Sequence, residues 1–238
     1  MITKRENSES RAELVRAMPS RERGRALLKD SIETAYSFLH QKRNVYIHST
    51  LEWQKDDIEF AIASYVDDMS QELYEAISDG RADYFIKLCQ QCGNYGRRYG
   101  CPPFDEEPLT AIEGYDTVRI LGVKITPTDM SLPLEAANDL MKPVISELNE
   151  ELLETEKLLS GMCYGFVGTC PYCGGAACAR IDGKPCKHPD KVRPSLEAIG
   201  FDISKTAKDL LGLEIKWSQD GVIPEYLTLV CGIFYKKH

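Results

Sequence analysis

Seven of the nine cysteines in this 238-residue chain fall in two short loops. Cys89, Cys92 and Cys101 form the first group; Cys170, Cys173, Cys178 and Cys186 form the second. Cys163 stands alone, and Cys231 lies in the last apolar run. The N-terminal stretch MITKRENSESRAELVR is polar where a signal peptide needs an apolar core, and no run of about 18 apolar residues occurs, so the expected location is the cytoplasm. In a reducing compartment, nine cysteines point to metal or redox chemistry ahead of disulfides.

The chain is 43% hydrophobic and 28% charged, ordinary values for a globular protein. A net charge of -8 and a pI near 5.2 argue against nucleic acid or an anionic membrane surface as partner. A redox partner protein or a small-molecule substrate is expected instead.

Periodicity sets out the frame. SRERGRALLKDSIETAYSFLHQK spaces Ala26, Leu27, Ile32, Ala35, Phe38 and Leu39 as an amphipathic helix does. NVYIHST is rich in β-branched and aromatic residues and reads as a strand. The next segment, DDIEFAIASYVDDMSQELYEAIS, returns to helical spacing through Ile58, Ala61, Tyr65, Met69, Leu73 and Ala76. DYFIKL is a short strand or helix end. TVRILGVKI is a strand, followed by a long amphipathic helix through Leu140, Val144, Leu148, Leu152 and Leu159, in which Pro143 is expected to kink or delay the first turns. CYGFVGT reads as a strand that delivers its end into the second cysteine group, the usual place for chemistry in α/β proteins. RPSLEAIG is a short helix ended by Gly200, and DISKTAKDLLG is a helix capped by Asp202 or Ser204 and ended by Gly212. EIKWSQ and YLTLVCGIFYK are expected to close the fold as a hairpin across DGVIPE.

The stretch GTCPYCGG, residues 168–175, admits three chemistries. A glutaredoxin-type dithiol needs its first cysteine at a helix N-terminus, where Gly174 and Gly175 are poor helix starters, and it leaves two further cysteines unexplained. A zinc knuckle uses the C-x2-C turn with glycine after it, and Cys178 and Cys186 would complete four thiolates. An iron–sulfur cradle accommodates more of the residues. Cys170, Cys173, Cys178 and Cys186 can wrap a 4Fe–4S cluster, glycines leave the backbone free to approach the sulfides, and Lys184, Lys187, Lys191 and Arg193 balance the charge. For any one of these basic residues, a solvated loop is the simpler account.

The first group, LCQQCGNYGRRYGCPPF, supplies three thiolates, an incomplete tetrahedral set. Either a fourth ligand comes from elsewhere, with Cys163 the nearest unassigned thiol, or one position stays open for water or substrate, as in catalytic metal sites. Arg97 and Arg98 would then hold an anionic substrate.

CGNYGRRYGCPPF together with CPYCGGAACARIDGKPCKHPDKVRPSLEAIGFDI resembles the signature of a widespread family of predicted metal-binding proteins of unknown function, common in anaerobic microbes and supposed to hold iron–sulfur clusters. The resemblance covers roughly residues 80–238. It implies metal at both cysteine groups and supplies no reaction.

The remaining candidates have bland accounts that outweigh the sharp ones. His188, two residues after Cys186, is an alternative ligand, but four thiols already stand nearby. His40, His48 and His238 read as surface or terminal residues, and Cys231 as a small buried hydrophobe. Asp105, Glu106 and Glu107 read as a charged turn, Asp67 and Asp68 as a helix's polar face. No phosphate-binding glycine loop, G-x-S-x-G or H-E-x-x-H is present.

The reading as a whole is an α/β or α+β protein with a helical N-terminal extension over residues 1–60 and a metal-binding core over 61–238. The core is expected to be a mixed sheet of about four strands with flanking helices, carrying two cysteine-rich loops. The expected function is electron transfer or redox activation of a small substrate through one or two 4Fe–4S clusters, with a zinc-stabilised protein-binding module as the alternative.

Overall fold

The computed structural model describes residues 45–55, 58–106, 110–165, 170–173 and 177–237. The helix expected between Ser20 and Lys42 lies outside them. Five strands, β1 Val45–Lys55, β2 Ile58–Asp68, β3 Thr117–Pro127, β4 Met162–Tyr164 and β5 Leu227–Tyr235, form one sheet in the order β1-β2-β3-β5-β4. Every ladder is antiparallel; a single parallel bridge joins Gly165 to Ser195 just past β4. Four α-helices accompany the sheet: α1 Gln71–Ile77, α2 Ala82–Leu88, α3 Ala137–Leu159 and α4 Ile203–Leu211. The α and β content is the class expected; the sheet is one strand wider, and its ladders are all antiparallel where a mixed sheet was expected.

The central strands are buried on both faces, and their alternation assigns each side chain to a layer. On one face, Leu121, Val123 and Ile125 of β3 and Leu229, Cys231 and Ile233 of β5 meet Val144, Leu148, Leu152 and Leu159 of α3. On the other, Val118, Ile120, Val230 and Phe234 meet Tyr74, Phe201, Ala207, Leu210 and Leu211. Gly122 lets that second layer approach: a Cβ there would stand 2.6 Å from Leu211 Cδ1. α3 runs through Pro143 from a 3₁₀ turn at Leu134–Ala136, and α4 begins as expected, with Asp202 Oδ1 accepting from the Lys205 amide.

Two segments differ from the periodic reading, and a third takes one of the two forms expected of it. Residues 58–68 are a strand and not the start of a helix, pairing along their whole length with 117–127. IEFAIASYV satisfies both periods at once, and the ladder on each side of β2 decides for the strand. Residues 83–88 belong to a helix, α2. EIKWSQ forms no ladder, and no hairpin crosses DGVIPE. Its bridge from Gln219 to Val222 is isolated, and β5 pairs instead with β3 along its length and with β4 over residues 232–234. β1 falls inside the stretch expected to be a helical extension and joins the same sheet as the core. No helix among the described residues is long and apolar enough to cross a membrane.

Candidate metal centre

The first loop leaves the end of α2. Cys89 caps that helix and opens a 3₁₀ turn, Cys89–Gln91, whose closing bond runs from the Cys92 amide to Cys89 O at 3.1 Å. The Gly96 amide donates to Pro102 O at 2.8 Å and pulls the far end back, bringing Cys101 toward the turn. Gly96 adopts φ 66°, a conformation that favours glycine.

The second loop follows β4. A 3₁₀ turn over Pro171–Cys173 separates Cys170 from Cys173, and a further turn, Ala179–Asp182, follows Cys178 and ends at Gly183 with φ 66°. Two backbone amides point at sulfur: the Tyr172 amide at Cys170, and the His188 amide at Cys186 Sγ, 3.4 Å away. Amide donation of this kind favours the thiolate and tunes a bound metal.

One side chain locks the loops together. The Arg180 guanidinium donates to Arg98 O at 2.8 Å, Cys101 O at 2.6 Å and Pro103 O at 2.5 Å, so the second loop grips the backbone around the last sulfur of the first. Tyr99 Oη returns the contact, donating to Lys184 O at 2.7 Å. At Gly100 a Cβ would stand 3.1 Å from Arg193 O, so the two chain segments nearly touch.

Two cavities result. Cys170, Cys173, Cys178 and Cys186 border a small one of about 20 Å³ together with Tyr172 and His188. Cys89, Cys92 and Cys101 border a larger one of about 290 Å³, which Cys163, Glu197 and Arg193 also reach. Cys170, Tyr172, Arg98 and Val192 belong to both, so the cavities share a wall. The Cys170 thiol is among the groups whose charge acts on Cys101. Among the described residues, no three Cys, His, Asp or Glu side chains converge on one ion-sized position.

Electrostatics favour the protonated form of Cys89, Cys101 and Cys170 while no metal is bound. Burial, then Glu197, Cys101 and Cys92, push the Cys89 thiol up to about 11. Cys101 and Cys170 are also raised, chiefly by burial. A cation reverses this order, because it binds the thiolate and displaces the proton. Glu197 carries the strongest perturbation among the carboxyls: burial pushes it up to about 7, against hydrogen bonds from its own backbone and from Ser195.

Cys163 borders the larger cavity, yet it is 1% exposed and packs in the apolar layer under α3. Burial raises its thiol, and its next strongest influence is a hydrogen bond with Glu156. The same carboxylate accepts the Cys163 amide at 2.7 Å and forms a two-pronged pair with Arg193. Burial would raise Glu156; the bonds from Arg193 and Cys163 outweigh it and hold the carboxyl below its ordinary value. Cys231 is fully buried in the core, as read from its apolar surroundings. Arg98 borders both cavities, whereas Arg97 is exposed and borders neither. Asp105 and Glu106 are exposed and away from both, and Glu107 lies outside the described residues, as do His40 and His238. Arg180, Glu156 and Glu197 are the site residues that sequence reasoning missed. Arg180 had one signal, a long cation two residues after Cys178; Glu156 and Glu197 lie in segments expected to be helical and carried none.

Fold and site define an α+β protein whose two cysteine loops, interlocked by Arg180, flank adjoining cavities. The chain belongs to the DUF2284 family of predicted metal-binding proteins, whose model matches residues 81–233, well over half its length. Neither a curated protein nor a solved structure matches it. The matched range begins at α2 and ends in β5, so it takes in both loops and leaves out β1 and β2.

Proposed function

We propose that this is a redox metalloprotein in which Cys170, Cys173, Cys178 and Cys186 hold a 4Fe–4S cluster, and Cys89, Cys92 and Cys101 hold a second cluster or metal at which a small substrate is activated. The shared wall between the two thiol-lined cavities carries this reading: a centre on one side and a substrate space on the other, with Cys170 common to both. The donor set fits the group. Clustered thiolates suit iron–sulfur centres and zinc, and amide hydrogens already point at two of the sulfurs.

A bound cluster would supply one-electron transfer. The chain contributes the rest. Its larger cavity, mostly apolar, has room for a small molecule, and Arg98 offers a positive group at the wall toward an anionic one. With only three thiols, the first loop leaves one coordination position to a weaker donor or to substrate. Electrons would arrive from a partner protein.

The small size of the four-thiol cavity, about 20 Å³, favours a second reading, a single zinc ion that stabilises a binding module. Metal and acid-labile sulfide content of protein purified without oxygen separates them, with the visible spectrum recorded before and after dithionite. About eight irons and about eight sulfides per chain with a bleachable visible band is the expected result. Zinc without sulfide would sink the redox proposal.

A further inference from the structure

Glu197 is the most anomalous carboxyl among the described residues. It opens a 3₁₀ turn, Glu197–Ile199, that packs against α2 just ahead of Cys89. The Ser195 hydroxyl and a backbone amide act on the carboxyl as donors, yet Oε2 is sealed from water and has no hydrogen-bond partner. The residue borders the larger cavity with the three thiols of the first loop.

An unpaired buried carboxylate oxygen is unfavourable unless it is protonated or meets a cation. Three thiols beside it are one donor short of a closed tetrahedral set. The two deficits are complementary: the thiols lack a fourth ligand and the carboxylate lacks a cation. Cys163, the other candidate, has its thiol engaged with Glu156 and packed in the apolar layer.

We infer that Glu197 is the fourth ligand of the metal held by Cys89, Cys92 and Cys101; the inference rests on the proposal above that this loop binds metal. A carboxylate oxygen is a harder donor than thiolate and holds a soft metal less firmly. Glu197 would therefore close the site at rest and give way to substrate entering from the cavity. The thiol side chains and the carboxylate reach one centre by turning toward each other, since they are not yet gathered on one point.

The test uses the full chain purified without oxygen, in wild-type form and as Cys89→Ser, Glu197→Gln, Glu197→Cys and Cys163→Ser. Iron, zinc and sulfide content, chelator competition and the electron paramagnetic resonance spectrum after dithionite are measured on each. Metal or signal lost in Cys89→Ser defines the first site. Glu197→Gln, which keeps the side chain's shape, is expected to lower that site's metal affinity by about tenfold or more and to leave the second site's content unchanged. Glu197→Cys is expected to keep the metal with an altered first-site spectrum, which also shows that the position tolerates change without unfolding. Cys163→Ser is expected to leave first-site metal in place. A Glu197→Gln protein with wild-type metal affinity and spectrum overturns the inference and leaves the metal reading standing. First-site metal lost in Cys163→Ser and kept in Glu197→Gln overturns it in favour of the thiol. If Cys89→Ser loses no metal at all, the first loop binds none, and the inference falls together with the reading it rests on.

Discussion

The two cysteine loops are built from the same materials and reach different ends. The second closes four thiols around a space that holds about one water-sized body. The first spreads three thiols along the side of a cavity more than ten times larger, with Glu197 and Arg98 at its border. The contrast comes from what each loop is tied to. Short turns at Pro171–Cys173 and Ala179–Asp182 shape the second loop, whereas the first is held between α2, the Gly96–Pro102 bond and the grip of Arg180, and lies over a gap beside α3. A tight space suits a permanent centre; a wide one suits a centre that must meet something else.

Metal removal should give the largest effect. Metal at a thousandfold above its Kd stabilises the folded chain by about 4 kcal/mol, so a chelator should lower the thermal midpoint accordingly, and equal midpoints with and without chelator would erase the contrast. Glu156→Gln comes next. It leaves Arg193 without its carboxylate in a largely buried pair, 16% and 12% exposed, at a loss of about 3 kcal/mol, and should loosen the first site alone. Because the folded Glu156 pKa lies below the ordinary 4.5, its contribution is present above that value and lost as pH falls through the folded one; the difference between wild type and variant should shrink in acid denaturant titrations.

Arg180→Ala removes three bonds to backbone carbonyls that are partly open to solvent, about 2 kcal/mol. It should weaken metal retention at both loops together, and loss at one loop only would mean that they are not mechanically joined. Loading of metal-free protein should strengthen with pH. Burial pushes the Cys89 thiol up to about 11 without metal, so between pH 6 and 8 it gives up its proton on binding, and affinity should rise by about tenfold per pH unit from this thiol. A flat profile would mean that thiols are not the ligands. His188→Ala should do least, within about 0.5 kcal/mol and with the second site's metal intact, because its amide and not its ring meets Cys186 Sγ.

Local signals were legible wherever one residue type settles one backbone feature. Asp202 caps α4 and Gly212 ends it at φ 65°, as glycine permits and the sequence reading expected. The strands at 117–127 and 227–235 carry enough β-branched and aromatic residues to be read directly. The segment 58–68 was not legible, because its apolar residues fit both periods and only the neighbouring ladders choose between them. Nor was the fate of EIKWSQ, because β5 takes β3 and β4 as its partners, a choice made by the sheet as a whole.

By itself, the sequence determined that seven thiols would sit in two glycine- and proline-rich loops, since those residues act on their own backbone. Only the tertiary structure decided that loops about 80 residues apart share a wall, that Arg180 binds them, and that Glu197, its Oε2 sealed off, borders the same cavity as the three thiols. Such meetings depend on which elements pack together, and no spacing along the chain encodes the contact between one loop's guanidinium and another loop's carbonyls.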